Sequence, residues 1–131
     1  MTLRELSKLY YLNKLIERDK LKLKEYESRL EPGGMDFSGM PRSPSPKNMI
    51  EEITPLIIDI KDRILREQEE YIKEQIAIED YIRTIDDYQI RLIFSYRFID
   101  LFTWNKIAHA IGGNNTEDSV KKICYRFLKN N

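Results

Sequence analysis

An apolar repeat with alternating steps of three and four residues runs along residues 50–85 and constrains the fold of this chain more than any other feature. Its positions are Ile50, Ile53, Ile57, Ile60, Ile64, Glu67, Tyr71, Glu74, Ile78, Tyr81 and Ile85. Such a repeat predicts a long helix that packs along another helix, as in a coiled coil, although two glutamates weaken its middle. From Pro55 to Ile85 this helix would be about 45 Å long. Because a small globule cannot bury that length, part of it must pack on another helix of the chain, on a second subunit, or on both.

A second repeat of the same kind predicts one continuous helix over residues 3–30. Its seam positions are Leu9, Leu12, Ile16, Asp19, Leu23, Tyr26 and Leu30. Asp19 is the one position in this seam that is not apolar or aromatic. We expect four further leucines to widen the apolar face, namely Leu3, Leu6, Leu15 and Leu21. The sequence leaves open whether the two long helices pack within one subunit or between subunits.

A segment rich in glycine and proline separates the two repeats. Three of the five glycines and all five prolines lie between residues 32 and 55. Proline lacks a backbone donor and glycine favours turns, so we predict a loop or ordered linker over residues 31–47.

The long second helix is predicted over residues 48–85, and its start has two interpretations. Asn48 can cap it, with Glu51 three residues later in the manner of a capping box. Alternatively, Ser45 is the cap and Pro46 occupies the first helical position. Because Pro55 then lies inside the helix, we expect a kink there, or a new helix start with Thr54 as its cap.

Residues 86–131 are predicted to form three short amphipathic helices that close a small core. Asp86 or Asp87 can cap the first, which extends through Ile99. Thr103 caps the next, and Phe102 before it can pack on Ile107 as a hydrophobic staple. No strand pattern occurs anywhere, so the fold class is all-α. We expect two domains: a helical hairpin or coiled-coil segment over residues 1–85, and a helix-turn-helix domain over residues 86–131.

The last two of these helices have the arrangement of a helix-turn-helix. Ala108 is the small residue that lets the following helix cross closely, and Gly112 occupies the turn position that requires a left-handed backbone. Asn115 or Thr116 caps the last helix, which extends from Glu117 to about residue 129. The residues expected to face its core form one stripe, listed here as Val120, Ile123, Cys124, Phe127 and Leu128. The turn is about two residues longer than in the tight form of the motif.

The opposite face of the last helix supplies the candidate DNA-binding residues. They are Ser119, Lys121, Lys122, Tyr125, Arg126 and Lys129. In a helix-turn-helix the second helix lies in the major groove, and Lys and Arg contact phosphates. A basic last turn is also favoured by the helix dipole alone, so the spacing by itself does not establish DNA contact.

Composition argues against several other functions. The formal net charge is zero, but residues 31–85 carry seven Lys and Arg against twelve Asp and Glu, whereas residues 86–131 carry seven against five. A single cysteine, Cys124, and a single histidine, His109, exclude an intrachain disulfide and a Cys-rich or His-rich metal site. We find no catalytic constellation and expect no enzyme, cofactor or metal. No apolar run spans a membrane and no signal peptide is visible, so we expect a cytoplasmic protein of a bacterial host cell.

The C-terminal part resembles region 4 of bacterial sigma factors. The resemblance lies in the stretch from Arg91 to Arg97-Phe98, in Thr-Trp-x-x-Ile-Ala-x-x-Ile-Gly over residues 103–112, and in the Ser-Val-Lys-Lys that begins at Ser119. The layout of the whole chain is similar to small proteins of Gram-positive phages and mobile elements, related to ArpU/RinA-type transcriptional regulators. This resemblance implies a DNA-binding regulator of phage or mobile-element genes.

Three hypotheses follow. In the first, the tail binds double-stranded DNA as a transcription regulator, while helices 3–30 and 48–85 form a homodimer or contact host RNA polymerase. In the second, the chain is a phage DNA-packaging component of the small-terminase type, which predicts ring-sized assemblies. In the third, it is a protein-interaction module that does not bind DNA, which the acidic middle segment favours.

Overall fold

The computed structural model describes residues 1–31 and 46–131, and within these ranges every regular element is helical. The α-helices are α1 (Leu3–Leu6), α2 (Lys8–Leu30), α3 (Pro46–Arg83), α4 (Tyr88–Phe94), α5 (Trp104–Ile111) and α6 (Glu117–Asn130), and a π-helical segment (Ser95–Ile99) follows α4. The all-α prediction is therefore confirmed for the described part of the chain. Most of the predicted loop over residues 31–47 lies outside the described residues.

The first predicted helix is interrupted at Ser7, so the expectation of one continuous helix over residues 3–30 is wrong. The side chain of Thr2 caps α1 by accepting a hydrogen bond from the Glu5 amide at 3.2 Å. The Ser7 hydroxyl donates to the Leu3 carbonyl at 2.8 Å. A serine that bonds back to the carbonyl four residues earlier competes with regular helix geometry, which accounts for the break.

Helix α3 begins at Pro46, as the second interpretation of its start predicted, and Asn48 lies inside it rather than at its cap. The proposed cap Ser45 lies outside the described residues. The helix continues through Pro55 without interruption, so Thr54 does not begin a new helix. We expected a kink at Pro55 because a proline inside a helix removes one backbone hydrogen bond and favours bending. That kink stays a prediction.

The chain divides into two compact units. The hairpin unit comprises Lys14–Glu69, and the C-terminal unit comprises Met1–Asn13 together with Glu70–Asn131. Helices α2 and α3 therefore contribute residues to both units. The predicted boundary between residues 85 and 86 does not coincide with this division, because the ends of the long helices belong to the same unit as the short helices.

In the hairpin unit, α2 and α3 pack in antiparallel directions within one chain. Glu27 and Lys61 form an ion pair at 3.6 Å, and Asp19 and Arg63 form one at 3.7 Å. A later residue of α2 thus faces an earlier residue of α3. Among the described residues of this unit, the most completely buried side chains are five isoleucines: Ile16, Ile53, Ile57, Ile60 and Ile64.

Four of these buried residues come from the second predicted seam, which confirms that part of the repeat, and one, Ile16, comes from the first. Leu12, Leu23, Tyr26 and Leu30 of the first seam are half-buried. The prediction was wrong for residues at the edges of the two apolar faces, which are exposed instead of buried. Ile50 is 53% exposed, and Leu3, Leu15 and Leu21 are exposed as well. Two packed helices cover only a narrow strip of each other, so apolar residues beside that strip stay in contact with solvent.

The C-terminal unit is built around a closed core that draws on all of its helices. The core consists of Leu6, Leu9, Ile78, Ile82, Ile85, Ile93, Phe94, Phe98, Trp104, Ile107, Ala108, Val120 and Cys124. Phe94 lies at its centre and packs edge-to-face on Phe98 at 5.2 Å and on Phe127 at 5.4 Å. This confirms that the short helices close a core, which also includes parts of the two long ones.

Helix α4 does not continue as an α-helix to Ile99, in contrast to the prediction. Asp87 caps it by accepting hydrogen bonds from the amides of Gln89 and Ile90. The π-helical segment then follows, closed by the Asp100 amide on the Ser95 carbonyl at 3.0 Å. Leu101, just before the cap of α5, has a φ of +59°, in the left-handed region.

Candidate nucleic-acid interface

Helix α5 begins at the predicted cap. The Thr103 side chain accepts a hydrogen bond from the Lys106 amide at 3.2 Å. Phe102 before it stacks on Tyr96, with ring centres 5.2 Å apart, and the Lys106 ammonium lies 4.0 Å from the Phe102 ring centre. Phe102 also packs against the apolar core, of which Ile107 is a member, while a direct contact between Phe102 and Ile107 stays a prediction.

The turn between α5 and α6 depends on two glycines. Gly112 closes α5 with φ +75° and ψ −158°, and its amide donates to the Ala108 carbonyl at 3.0 Å. This backbone region is accessible almost only to glycine. Gly113 follows with φ +65°. Gly112 was predicted to take the left-handed conformation of the turn: its φ is positive as expected, but its ψ of −158° lies outside the left-handed helical region. Asn115 stabilises the turn by donating from its side chain to the Gly112 carbonyl.

Helix α6 is capped by Thr116, one of the two predicted caps. The Thr116 hydroxyl accepts from the Ser119 amide at 3.1 Å, and the Ser119 hydroxyl accepts from the Thr116 amide at 2.8 Å. The Ser119 hydroxyl also donates to the Thr116 carbonyl. Ser119, a predicted DNA-contact residue, is therefore half-buried and engaged in a capping box.

The inward face of α6 is the predicted one. Val120 and Cys124 are fully buried, and the other three residues of the stripe pack against the same core. Ala108 on α5 is also buried, as its role in the crossing of the two helices predicts. Burial raises the pKa of the Cys124 thiol to about 12, although the nearby Arg97 charge opposes this shift. Cys124 is thus a core side chain kept in its neutral form.

The outward face of α6 presents the remaining predicted residues. Lys121, Lys122, Arg126 and Lys129 are exposed, and Tyr125 is 39% exposed. Lys122, Arg126 and Lys129 occupy positions i, i+4 and i+7, which lie on one side of a helix. The structure therefore brings these three cations and Tyr125 to one face.

The first turn of α6 has the opposite charge. Glu117 and Asp118 are both exposed there. Carboxylates near a helix N-terminus are stabilised by its dipole, and they repel a phosphate backbone. The positive charge of α6 consequently begins after this first turn, so Lys122, Arg126 and Lys129 are better placed for phosphate contact than any residue of the first turn.

An aromatic contact joins α5 and α6. Trp104 at the start of α5 packs edge-to-face on Tyr125 of α6, with ring centres 5.8 Å apart. The Arg97 guanidinium lies 4.3 Å from the Trp104 ring centre and donates to the Phe102 carbonyl at 3.0 Å. Trp104 is only 8% exposed. These contacts set the position of Tyr125 on the outward face, and neither Arg97 nor Trp104 had been assigned this role from the sequence.

The other arginine of the sigma-like stretch also has a structural role. Arg91 donates two hydrogen bonds to the Ile85 carbonyl and one to the Arg83 carbonyl, which closes the connection between α3 and α4. Carbonyl groups at a helix end lack backbone partners, so a guanidinium is well suited to satisfy them. Both arginines therefore support the fold beneath the candidate interface.

Comparisons with known proteins identify no relative: no protein-family model, no curated protein and no solved structure matches the chain. The resemblance to sigma region 4 and to ArpU/RinA-type regulators therefore stays a prediction. Within residues 1–31 and 46–131, no helix has the length and apolar character needed to cross a bilayer. The same residues contain no group of three or more His, Cys, Asp or Glu side chains arranged to hold a metal ion.

Proposed function

We propose that the C-terminal unit binds double-stranded DNA through the outward face of α6 and that the protein regulates transcription of phage or mobile-element genes. The observation that carries this proposal is the pair α5 and α6, joined by a turn with two glycines at positive φ, with Lys122, Arg126 and Lys129 exposed on one face. In a helix-turn-helix this is the face that enters the major groove.

The roles of the predicted residues differ within this proposal. Lys121, Lys122, Arg126 and Lys129 contact phosphates, and Tyr125, oriented by Trp104, contacts the duplex beside them. Ser119 acts through the cap of α6 rather than through the DNA. Binding that relies on phosphates weakens steeply with salt, because counterions are released from the duplex.

Dimerisation through the long helices belongs to the same proposal and requires a face other than the seam, since the hairpin unit fills the seam within one chain. Ile58 and Leu65 of α3 lie one heptad apart and are 62% and 59% exposed. Residues seven apart lie on one side of a helix. A second copy, or host RNA polymerase, would pack on this side, and a dimer would link two weakly binding tails and raise their avidity.

The decisive experiment measures binding of the full chain to a random duplex by fluorescence anisotropy at low and moderate salt. We expect salt-dependent binding that the double variant Lys122→Glu with Arg126→Glu abolishes while circular dichroism stays unchanged. The matched control is Lys20→Glu with Lys24→Glu, which makes the same change in charge at exposed positions of α2. Equal affinity of the two double variants would contradict the assignment of α6.

A protein-interaction module is the second candidate. The acidic first turn of α6 and the exposed Ile58 and Leu65 favour it. No binding to any duplex at low salt, together with a constant mass in light scattering when DNA is added, would support this candidate. A ring-sized assembly in the same measurement would instead indicate a DNA-packaging component.

A further inference from the structure

Two acidic side chains meet in the apolar seam of the hairpin unit. Asp19 and Glu67 occupy seam positions of α2 and α3, and Arg63, whose guanidinium lies 3.7 Å from the Asp19 carboxylate, is one helical turn before Glu67 on the same side of α3. Ile16 lies one turn before Asp19 on α2 and Ile64 one turn before Glu67 on α3, and both are buried members of the same seams. An unpaired charge at such a position is unfavourable unless a donor or a proton compensates for it.

The Glu67 carboxylate has no such donor among the described residues. Both of its oxygens are closed off from solvent and accept no hydrogen bond. Two ionised carboxylates are both acceptors, so neither can satisfy the other. One proton changes this, because a neutral Glu67 carboxyl can donate to the Asp19 carboxylate.

The charged groups that act on Glu67 come from both helices. Asp19 on α2 disfavours ionisation, and Arg63 and Arg66 on α3 favour it. The Arg63 guanidinium is engaged with Asp19 at 3.7 Å and is itself 54% exposed, so solvent screens much of its effect on Glu67. Burial, followed by the hydrogen bond and the charge of Asp19, raises the pKa of Glu67 from 4.5 to about 7.

Glu74, the other acid of the same seam, is arranged differently. Its carboxylate forms an ion pair with Lys8 at 3.6 Å. The charge of a seam glutamate can therefore be compensated by a cation from α2. At Glu67, seven residues before Glu74, the residue that α2 contributes is the acid Asp19. The contrast shows that an acidic seam position does not by itself create a proton-sharing pair.

We propose that Asp19 and Glu67 share one proton across the contact between α2 and α3, and that the hairpin unit is thereby a pH-responsive element that tightens on protonation and loosens on ionisation. A proton held between the two carboxyls gives one oxygen of each a hydrogen-bond partner and removes one of the two like charges. Its loss leaves two like charges at a desolvated seam position, which weakens the packing of the surrounding isoleucines.

The direction of the effect follows from linkage. A raised pKa in the folded state means that the folded chain holds the proton more tightly than the unfolded chain. The resulting stability is fully present below the ordinary pKa of 4.5 and is lost as the pH rises through about 7. The hairpin unit is therefore less stable at pH 8.5 than at pH 5.5.

Hydrogen exchange of the full chain, corrected for the intrinsic effect of pH on exchange rates, tests the proposal. Peptides from α2 and α3 within Lys14–Glu69 should lose more than about tenfold in protection between pH 5.5 and 8.5. In Glu67→Gln that loss should disappear, because the amide is neutral at both pH values and still donates to Asp19. The matched control Glu74→Gln removes a seam acid that has a cationic partner and should keep the pH dependence.

A carboxyl-carbon NMR titration gives an independent measurement that does not depend on the stability of any one variant. The Glu67 resonance, assigned by its absence in Glu67→Gln, should titrate near neutral pH, and Asp19→Asn should lower its midpoint. A Glu67 carboxyl that titrates in the ordinary range would overturn the proposal. Protection that is independent of pH in the natural chain, or equally dependent on pH in Glu67→Gln, would overturn it as well.

Discussion

The two units of this protein bury apolar surface in different ways. The hairpin unit most completely buries five isoleucines from two helices, whereas the C-terminal unit buries Leu, Ile, Phe, Trp, Ala, Val and Cys side chains from all of its helices. In a seam between two helices the same packing geometry recurs along the helices, so one type of side chain can fill it. A closed core has sites of different size and shape, so it needs different side chains. Asp19 and Glu67 in the seam of the hairpin unit are partly buried, and among the described residues neither unit has a polar residue in its fully buried core.

Local stabilisation differs in the same way. In the C-terminal unit, side chains cap α1, α4, α5 and α6, and the capping box of α6 satisfies backbone groups at both residues. Short helices are marginal by themselves, so caps and turns contribute a large share of their stability. The long helices depend on the periodic seam instead. Substitutions that affect packing, turns and caps should therefore lower the free energy of unfolding by successively smaller amounts. The two packing variants, Phe94→Ala and Ile60→Ala, also test whether the units unfold independently.

The largest effect is expected for Phe94→Ala at the centre of the C-terminal core. Loss of a fully buried phenylalanine leaves a cavity and should cost about 3–5 kcal/mol in the free energy of unfolding. Urea unfolding followed by the fluorescence of Trp104, the only tryptophan, measures it. Leu92→Ala, a control on the same helix at a position that is 42% exposed, should cost less than about 1 kcal/mol. If hydrogen exchange in the hairpin unit rises equally, the two units unfold together and the comparison fails.

A smaller effect is expected for Ile60→Ala in the hairpin seam. Ile60 is 5% exposed, and its truncation should cost about 2 kcal/mol, near the lower end for buried isoleucine because two helices can close partly over the gap. Hydrogen exchange of α2 and α3 peptides within Lys14–Glu69 reports the change. Ile50→Ala, at an exposed position of the same helix, is the control and should leave protection unchanged. Equal losses in the two variants would mean that the predicted seam extends further than its burial indicates.

The turn should be sensitive to Gly112→Ala. No atom lies within 4 Å of the position that an added Cβ would take, so the expected cost of about 1–3 kcal/mol comes from the backbone conformation alone. Thermal unfolding measures this loss, and Asn114→Ala at an exposed position of the same turn is the control. Unchanged stability of Gly112→Ala would show that the turn adopts another conformation.

The smallest effect is expected for Thr116→Ala at the start of α6. Loss of the cap should cost about 1 kcal/mol, because the Ser119 amide loses its side-chain acceptor. Thr116→Ser keeps the hydroxyl and should restore most of the stability in the same denaturation experiment. A serine variant as unstable as the alanine variant would assign the effect to the threonine methyl group rather than to the cap.

Much of the fold was predictable because its determinants are local. The spacing of Ile57 and Ile64 indicated the buried face of α3, and Thr103 and Gly112 marked the two ends of α5. The candidate interface was predictable to the same extent, since the exposure of Lys122 and Arg126 follows from the burial of the opposite stripe. The break at Ser7 and the positive φ of Leu101 were not predictable, because serine and leucine occur within many continuous helices.

The sequence by itself determined the helices and the faces that they bury, because periodicity, capping residues and glycines act within a few positions of the chain. Only the tertiary structure decided how the charged residues are used. Arg91 and Arg97 bind backbone carbonyls, Glu74 pairs with Lys8, and Asp19 pairs with Arg63. The Glu67 oxygens are buried without a hydrogen-bond partner among the described residues. The partners and the pKa of a charged side chain depend on which residues of a neighbouring helix pack against it. The spacing of residues along the sequence does not determine that packing.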